Sequence, residues 1–118
     1  CYIFKNCCRS WLAAIRSSIR DRFRAATTLG YGPRFLHSTG QLHKGGGDNG
    51  VFLQFTVNDP VDFSIPGEPY TFGVMKAAQA LGDLQSLVSR SRRVLRIHIT
   101  GNITAGLRRA LEAIREAH

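Results

Sequence analysis

Apolar residues recur along this chain first with the period of a helix, then of a strand, and then of a helix again. Leu12, Ile15, Ile19 and Phe23 lie three and four residues apart and share one face. This predicts a helix over 10–26, with Ser10 as its N-cap and arginines on the opposite face. Thr27 to Pro33 interrupts the pattern with two glycines and a proline. His37 to Lys44 has room for a short helix, closed by Gly45-Gly46-Gly47 and a turn at Asp48-Asn49-Gly50. Val51 to Val57 is apolar apart from Gln54 and Thr56, the composition of a parallel strand buried on both faces. A proline-bearing loop over 58–69 follows.

Thr71 to Leu81 predicts a helix capped by Thr71, with Phe72, Met75, Ala78 and Gln79 near one face. Gly82 is expected to break it, leaving a second helical piece over 83–89 with Leu84, Leu87 and Val88 apolar. From Val94 to Thr100, Leu95, Ile97 and Ile99 alternate with Arg96 and His98, the period of a strand. Asn102 is a natural cap for a last helix, whose stripe is Ile103, Leu107, Leu111 and Ile114. Helix, strand, helix, strand and helix in this order predict an α/β fold with a parallel sheet. Two strands do not make a self-sufficient sheet, so it is expected to continue in further sequence or in another chain.

A chain of 118 residues with 43% apolar content has the size and make-up of one modest globular domain. The formal charge is +8, unevenly placed. Residues 1–36 hold Lys5, Arg9, Arg16, Arg20, Arg22, Arg24 and Arg34 against Asp21 alone. Arg90, Arg92, Arg93 and Arg96 form a second basic cluster. Between them the sign reverses, with Asp48, Asp59, Asp62, Glu68 and Asp83 against Lys76. A basic balance favours anionic partners: phosphorylated metabolites, nucleic acid or acidic lipid. The arginine-rich start shares the look of a transit peptide, but it reads well as an ordinary amphipathic helix. Cys1, Cys7 and Cys8 all lie at the start, cannot staple the body of a domain and have no zinc-ligand spacing. A reducing cytoplasmic setting is expected, with no bound metal and no transmembrane helix.

The segment richest in chemistry runs from Arg34 to Gly46. It holds His37, Ser38, Thr39, Gln41, His43 and Lys44 just ahead of the apolar run at Val51. Loops leading into strands are where α/β proteins gather ligand chemistry. An imidazole such as that of His37 can act as acid or base near neutral pH, and a helix start favours its neutral form. On residue chemistry alone, a lone histidine is more often a surface or turn residue. Ser38 and Thr39 suit a helix cap or an anion held by backbone amides. His43 and Lys44 are expected at the surface, where Lys44 can attract a phosphate. Gly45-Gly46-Gly47 lacks the spacing of a phosphate-binding loop and reads as a flexible connection.

This segment resembles the histidine segment of the glucose-6-phosphate isomerase family, most nearly in the isomerase half of the fused transaldolase/glucose-6-phosphate isomerase proteins. The likeness continues in order through Thr27-Thr28-Leu29-Gly30-Tyr31-Gly32-Pro33, Gly50-Val51-Phe52-Leu53-Gln54, Pro66-Gly67-Glu68-Pro69-Tyr70-Thr71-Phe72-Gly73, Lys76-Ala77-Ala78-Gln79-Ala80 and Arg92-Arg93-Val94-Leu95-Arg96. It spans residues 20 to 114. The resemblance implies the C-terminal part of a three-layer α/β/α sandwich of the sugar-isomerase type. It divides the chain into a divergent basic segment and helix over 1–26 and an isomerase-like subdomain over 27–118.

The resemblance also implies aldose–ketose isomerisation of glucose 6-phosphate and fructose 6-phosphate, without a cofactor. His37 falls on the histidine that helps open the sugar ring, with Ser38, Thr39, Gln41 and Lys44 beside the substrate. In that family the histidine reaches the neighbouring subunit's site, so the implied partner is a second copy or an upstream isomerase segment. The family's C-terminal lysine has no counterpart here, because no lysine follows Lys76; Arg108 and Arg109 stand on the last helix instead. Proton transfer between C1 and C2 needs a carboxylate base. The family's glutamate lies upstream of the histidine, and residues 1–36 contain no glutamate. Asp21 is expected to be a salt-bridge partner, and the chain alone is expected to be catalytically incomplete. Two other readings remain open: a basic nucleic-acid-binding module contacting phosphates through the N-terminal arginines and Arg90–Arg96, and an inactive structural or oligomerisation fragment.

Overall fold

The computed structural model describes residues 7–32 and 41–117. In these, α1 (Cys7–Phe23), α2 (Leu42–Gly45), β1 (Val51–Val57), α3 (Phe72–Val88), β2 (Arg93–Ile99) and α4 (Ile103–Glu116) follow one another. The fold is mixed α/β, with β1 and β2 paired in parallel. By its internal contacts the described chain separates into two units. One comprises 31–32 and 41–98 and the other 7–30 and 99–117.

In the helical unit, α1 packs against α4. Leu12 and Ile15 are buried on α1 as their spacing predicts, but Phe23 is largely exposed. The helix starts at Cys7 rather than at Ser10, so Ser10 lies within it and is not its cap. The extra turn brings Cys8 into the buried face. Arg22 closes the far end of α4, its Nη1 donating to the Arg115 carbonyl at 2.8 Å, where a helix leaves its last carbonyls unpaired. The stripe on α4 is as expected, with Leu107 fully buried, Leu111 buried, and Ile103 and Ile114 half-buried. Asn102 caps this helix through Oδ1, which accepts the Ala105 amide at 2.9 Å. Gly106 is where α4 meets Ile99; a Cβ there would collide with the Ile99 side chain.

In the sheet unit, β1 leads through α3 to β2, the parallel strand–helix–strand arrangement. Thr71 is the N-cap of α3, its Oγ1 accepting the Val74 amide at 3.2 Å. The helix then runs unbroken to Val88, so Gly82 does not divide it. A glycine inside a helix costs only about 1 kcal/mol relative to alanine. Burial of Ala80, Asp83 and Leu87 on successive turns outweighs that. The buried face is therefore this one, and Phe72 and Ala78 are exposed rather than inward.

The side of the sheet facing α3 is partly polar. Gln54 points to α3, its Nε2 donating to the Ala80 carbonyl at 2.9 Å. Thr56 lies on that side with Arg96 and His98, to both of which it is bonded. Side chains alternate along a strand, so Val51, Leu53 and Leu95 lie on the opposite side, and all three are exposed. Strand β1 is thus not enclosed on both faces.

Candidate functional site

His37, Ser38 and Thr39 lie outside the described residues. Gln41 opens the described part of their segment on an exposed turn just before α2. Lys44, on α2, does not stand free at the surface: its Nζ contacts Asp83 Oδ1 of α3 at 3.0 Å. Asp83 is 8% exposed, and the pair is largely withdrawn from water. His43 is half-buried as well, its ring set edge-on against Phe52 of β1 at 5.2 Å between centroids. Both residues therefore differ from the exposed placement their sequence suggests, because α3 and β1 supply partners distant in sequence.

The glycine stretch is likewise fastened. Arg92 has a side chain only 9% exposed. Its Nη2 donates to the Lys44 carbonyl at 3.3 Å and to the Gly46 carbonyl, and its Nη1 lies 3.4 Å from Asp48 Oδ1. Arg93 donates to the Asp48 carbonyl at 3.1 Å. The connection read as flexible is thus held by one guanidinium through its backbone carbonyls. These contacts gather where β1 and β2 begin. Arg92 is consequently unavailable as a surface phosphate contact.

At the other end of the parallel strands, roughly 20 Å away for seven-residue strands, lies a cleft of about 420 Å³. Thr56, Asn58, Asp59, Asp62, Lys76, Arg96 and His98 contribute polar side chains to it. The carboxyl end of a parallel sheet is where α/β proteins bind ligands. Asp62 is committed to the start of α3. It accepts the Gly73 amide at 2.8 Å, its own neighbour's amide (Phe63) at 2.8 Å and the Thr71 hydroxyl at 2.5 Å. The Thr71 hydroxyl, followed by the Gly73 amide, holds this carboxyl below its ordinary pKa. Lys76 is paired with Asp59. Thr56 Oγ1 lies 2.9 Å from His98 Nδ1 and accepts from Arg96 Nε at 3.3 Å.

Alternation along Val94 to Thr100 places Arg96 and His98 on one face of a strand but supplies no partner for them. The missing signal is strand register, which alone brings Thr56 between them. Elsewhere, Asp21 pairs with Arg20 at 2.7 Å, the salt-bridge role expected of it. Arg108 and Arg109 are exposed on α4, Arg108 lying 3.9 Å from Glu112. No helix among the described residues is long and apolar enough to cross a membrane.

Compared with known proteins, the chain matches no family model, no curated protein and no solved structure.

Proposed function

We propose that this chain is the C-terminal part of a cytosolic glucose-6-phosphate isomerase of the transaldolase-fused type, built on a three-layer α/β/α sandwich. The observation that carries the reading is the ordered run of motifs from residue 20 to 114, centred on His37-Ser38-Thr39-Gly40-Gln41-Leu42. The parallel β1–α3–β2 unit is compatible with it as one repeat of a larger parallel sheet.

In this reading His37 moves a proton at the ring or hydroxyl oxygen and so opens the sugar ring, work suited to an imidazole near neutral pH. Ser38, Thr39 and Gln41 shape its turn and contact the substrate. Lys44 reaches the phosphate only by giving up Asp83, so its contribution is secondary. The carboxylate that moves the C1–C2 proton comes from outside this sequence, since residues 1–36, ahead of His37, contain no glutamate. A homodimer, or an upstream isomerase segment, completes the site.

The nucleic-acid reading is weaker. Arg92, at the centre of the second basic cluster, is spent on the loop carbonyls, and Arg22 on the end of α4.

The test is conversion of fructose 6-phosphate to glucose 6-phosphate, followed in a coupled assay. The chain alone is expected to be inactive. In a polypeptide extended upstream to include the carboxylate base, activity is expected to appear and to fall about 10²–10⁴-fold in His37→Ala. Unchanged ring opening and turnover in that variant would refute the assignment.

A further inference from the structure

The cleft at the carboxyl end of the sheet holds two carboxylates and two permanent cations, and three of these four charges are already used. Asp62 is bound to the first turn of α3, and Asp59 and Lys76 neutralise one another. The amides of Gly73 and Val74 are occupied by Asp62 and Thr71, so the helix start itself offers nothing to a ligand. Arg96 remains. It is exposed, lines the cleft, and makes no ion pair among the described residues.

The groups bonded beside Arg96 keep at least one hydrogen atom free for a ligand. Arg96 uses Nε on Thr56 Oγ1, which leaves the donors of its outer nitrogens. If the Thr56 hydroxyl donates to His98 Nδ1, then His98 Nε2 carries a hydrogen. If His98 Nδ1 donates instead, the Thr56 hydroxyl hydrogen is released. In either tautomer, Arg96 and at least one neighbour offer donors to the same space. Such a set matches a ligand that only accepts, and an arginine fork favours an oxyanion. The two outer nitrogens of Arg96 and the free hydrogen of Thr56 or His98 can each take a different oxygen of a phosphoryl group, whereas a carboxylate offers two oxygens in one plane. The volume of about 420 Å³ suits a small metabolite.

We infer that Arg96, Thr56 and His98 form a binding site for the phosphoryl group of a small metabolite, at the opposite end of the sheet from Gln41 and Lys44. It does not depend on the isomerase reading, because it rests only on the cleft. Asp59 and Asp62 lie in the same cleft, so the affinity for a dianion is modest, with Kd of about 1–10 mM for phosphate alone.

The test uses the full 118-residue chain. Inorganic phosphate is titrated at constant ionic strength while the Arg96 Nε and His98 ring resonances are followed by NMR, with glucose 6-phosphate and neutral glucose as parallel arms. Saturable shifts with phosphate and with glucose 6-phosphate, but none with glucose, are expected. Tighter binding of the sugar phosphate than of phosphate would assign the site to a phosphorylated sugar, and equal binding to the phosphoryl group alone. Arg96→Gln is expected to weaken binding about tenfold or more, and Thr56→Val about threefold, with the fold of the sheet unit confirmed by unchanged resonances of the buried Leu87 on α3. Absence of saturable shifts up to about 50 mM phosphate, or equal binding by Arg96→Gln, would overturn the proposal.

Discussion

Asp62 and Gly73 are locked together at the start of α3. The carboxylate accepts the glycine amide at 2.8 Å, and a Cβ on Gly73 would stand 2.6 Å from Asp62 Oδ2. Only a residue without a side chain admits the carboxylate at this distance. Gly73→Ala is therefore expected to displace Asp62 and, through the loss of that carboxylate's bonds, to lower the stability of the sheet unit despite alanine's higher helix propensity. Urea denaturation checks this, and a gain in stability would contradict it.

The same lock sets an acid dependence. The Asp62 carboxyl is held below its ordinary value of 3.8, mainly by the Thr71 hydroxyl and then by the Gly73 amide. A carboxyl with a depressed folded-state pKa stabilises the fold above its unfolded value. That contribution begins to fade near 3.8 and is gone once the pH has fallen through the lower folded value. Asp62→Asn is expected to flatten the stability profile below this point. Thermal melts of both proteins across the acid range measure the difference, and parallel profiles would rule out this role.

Gly82 offers the opposite case to Gly73. It lies inside α3, is exposed, and a Cβ there would meet nothing within 4 Å. Gly82→Ala is expected to stabilise the chain by about 0.5–1 kcal/mol, seen as a higher Tm.

Lys44 and Asp83 form the pair that ties α2 to α3, with side chains 20% and 10% exposed. Lys44→Met removes the cation at Asp83 Oδ1 and is expected to cost about 1–2 kcal/mol, less than for a fully enclosed pair. Adding Asp83→Asn is expected to recover part of that loss. A double-mutant cycle in urea reads the coupling.

Arg92 holds three successive features of the loop: Lys44, Gly46 and Asp48. In Arg92→Ala the amides of residues 45–50 are expected to exchange hydrogen about 10–100-fold faster, corresponding to about 1.4–2.7 kcal/mol of lost local protection. The amides of α4 are expected to keep their rates.

The parts of this fold legible in the sequence are those fixed by neighbours along the chain. Asn102 and Ala105, or Thr71 and Val74, are three residues apart, and each cap follows from side-chain chemistry at that spacing. The apolar stripe on α4 was legible for the same reason. What escaped depends on distant residues. Arg92 meets Lys44 and Gly46 across 48 and 46 positions, and an arginine in a basic cluster carries no local sign of being buried. Asp62 reaches Gly73 across 11 positions of loop, and its role as a helix-start carboxylate needs the chain path rather than a motif. Gly82 misled because local propensity was set against burial on a face that only the folded α3 defines. The Thr56–His98 contact required strand register, which alternation within each strand does not supply.

The outward placement of Val51, Leu53 and Leu95 has a colloidal consequence. The formal charge of +8 makes copies of the chain repel one another, while this apolar side of the sheet draws them together. Salt shortens the range of the repulsion from roughly 10 Å at 0.1 M to roughly 3 Å at 1 M and does not screen the apolar attraction. Association through this face is therefore expected to grow as ionic strength rises.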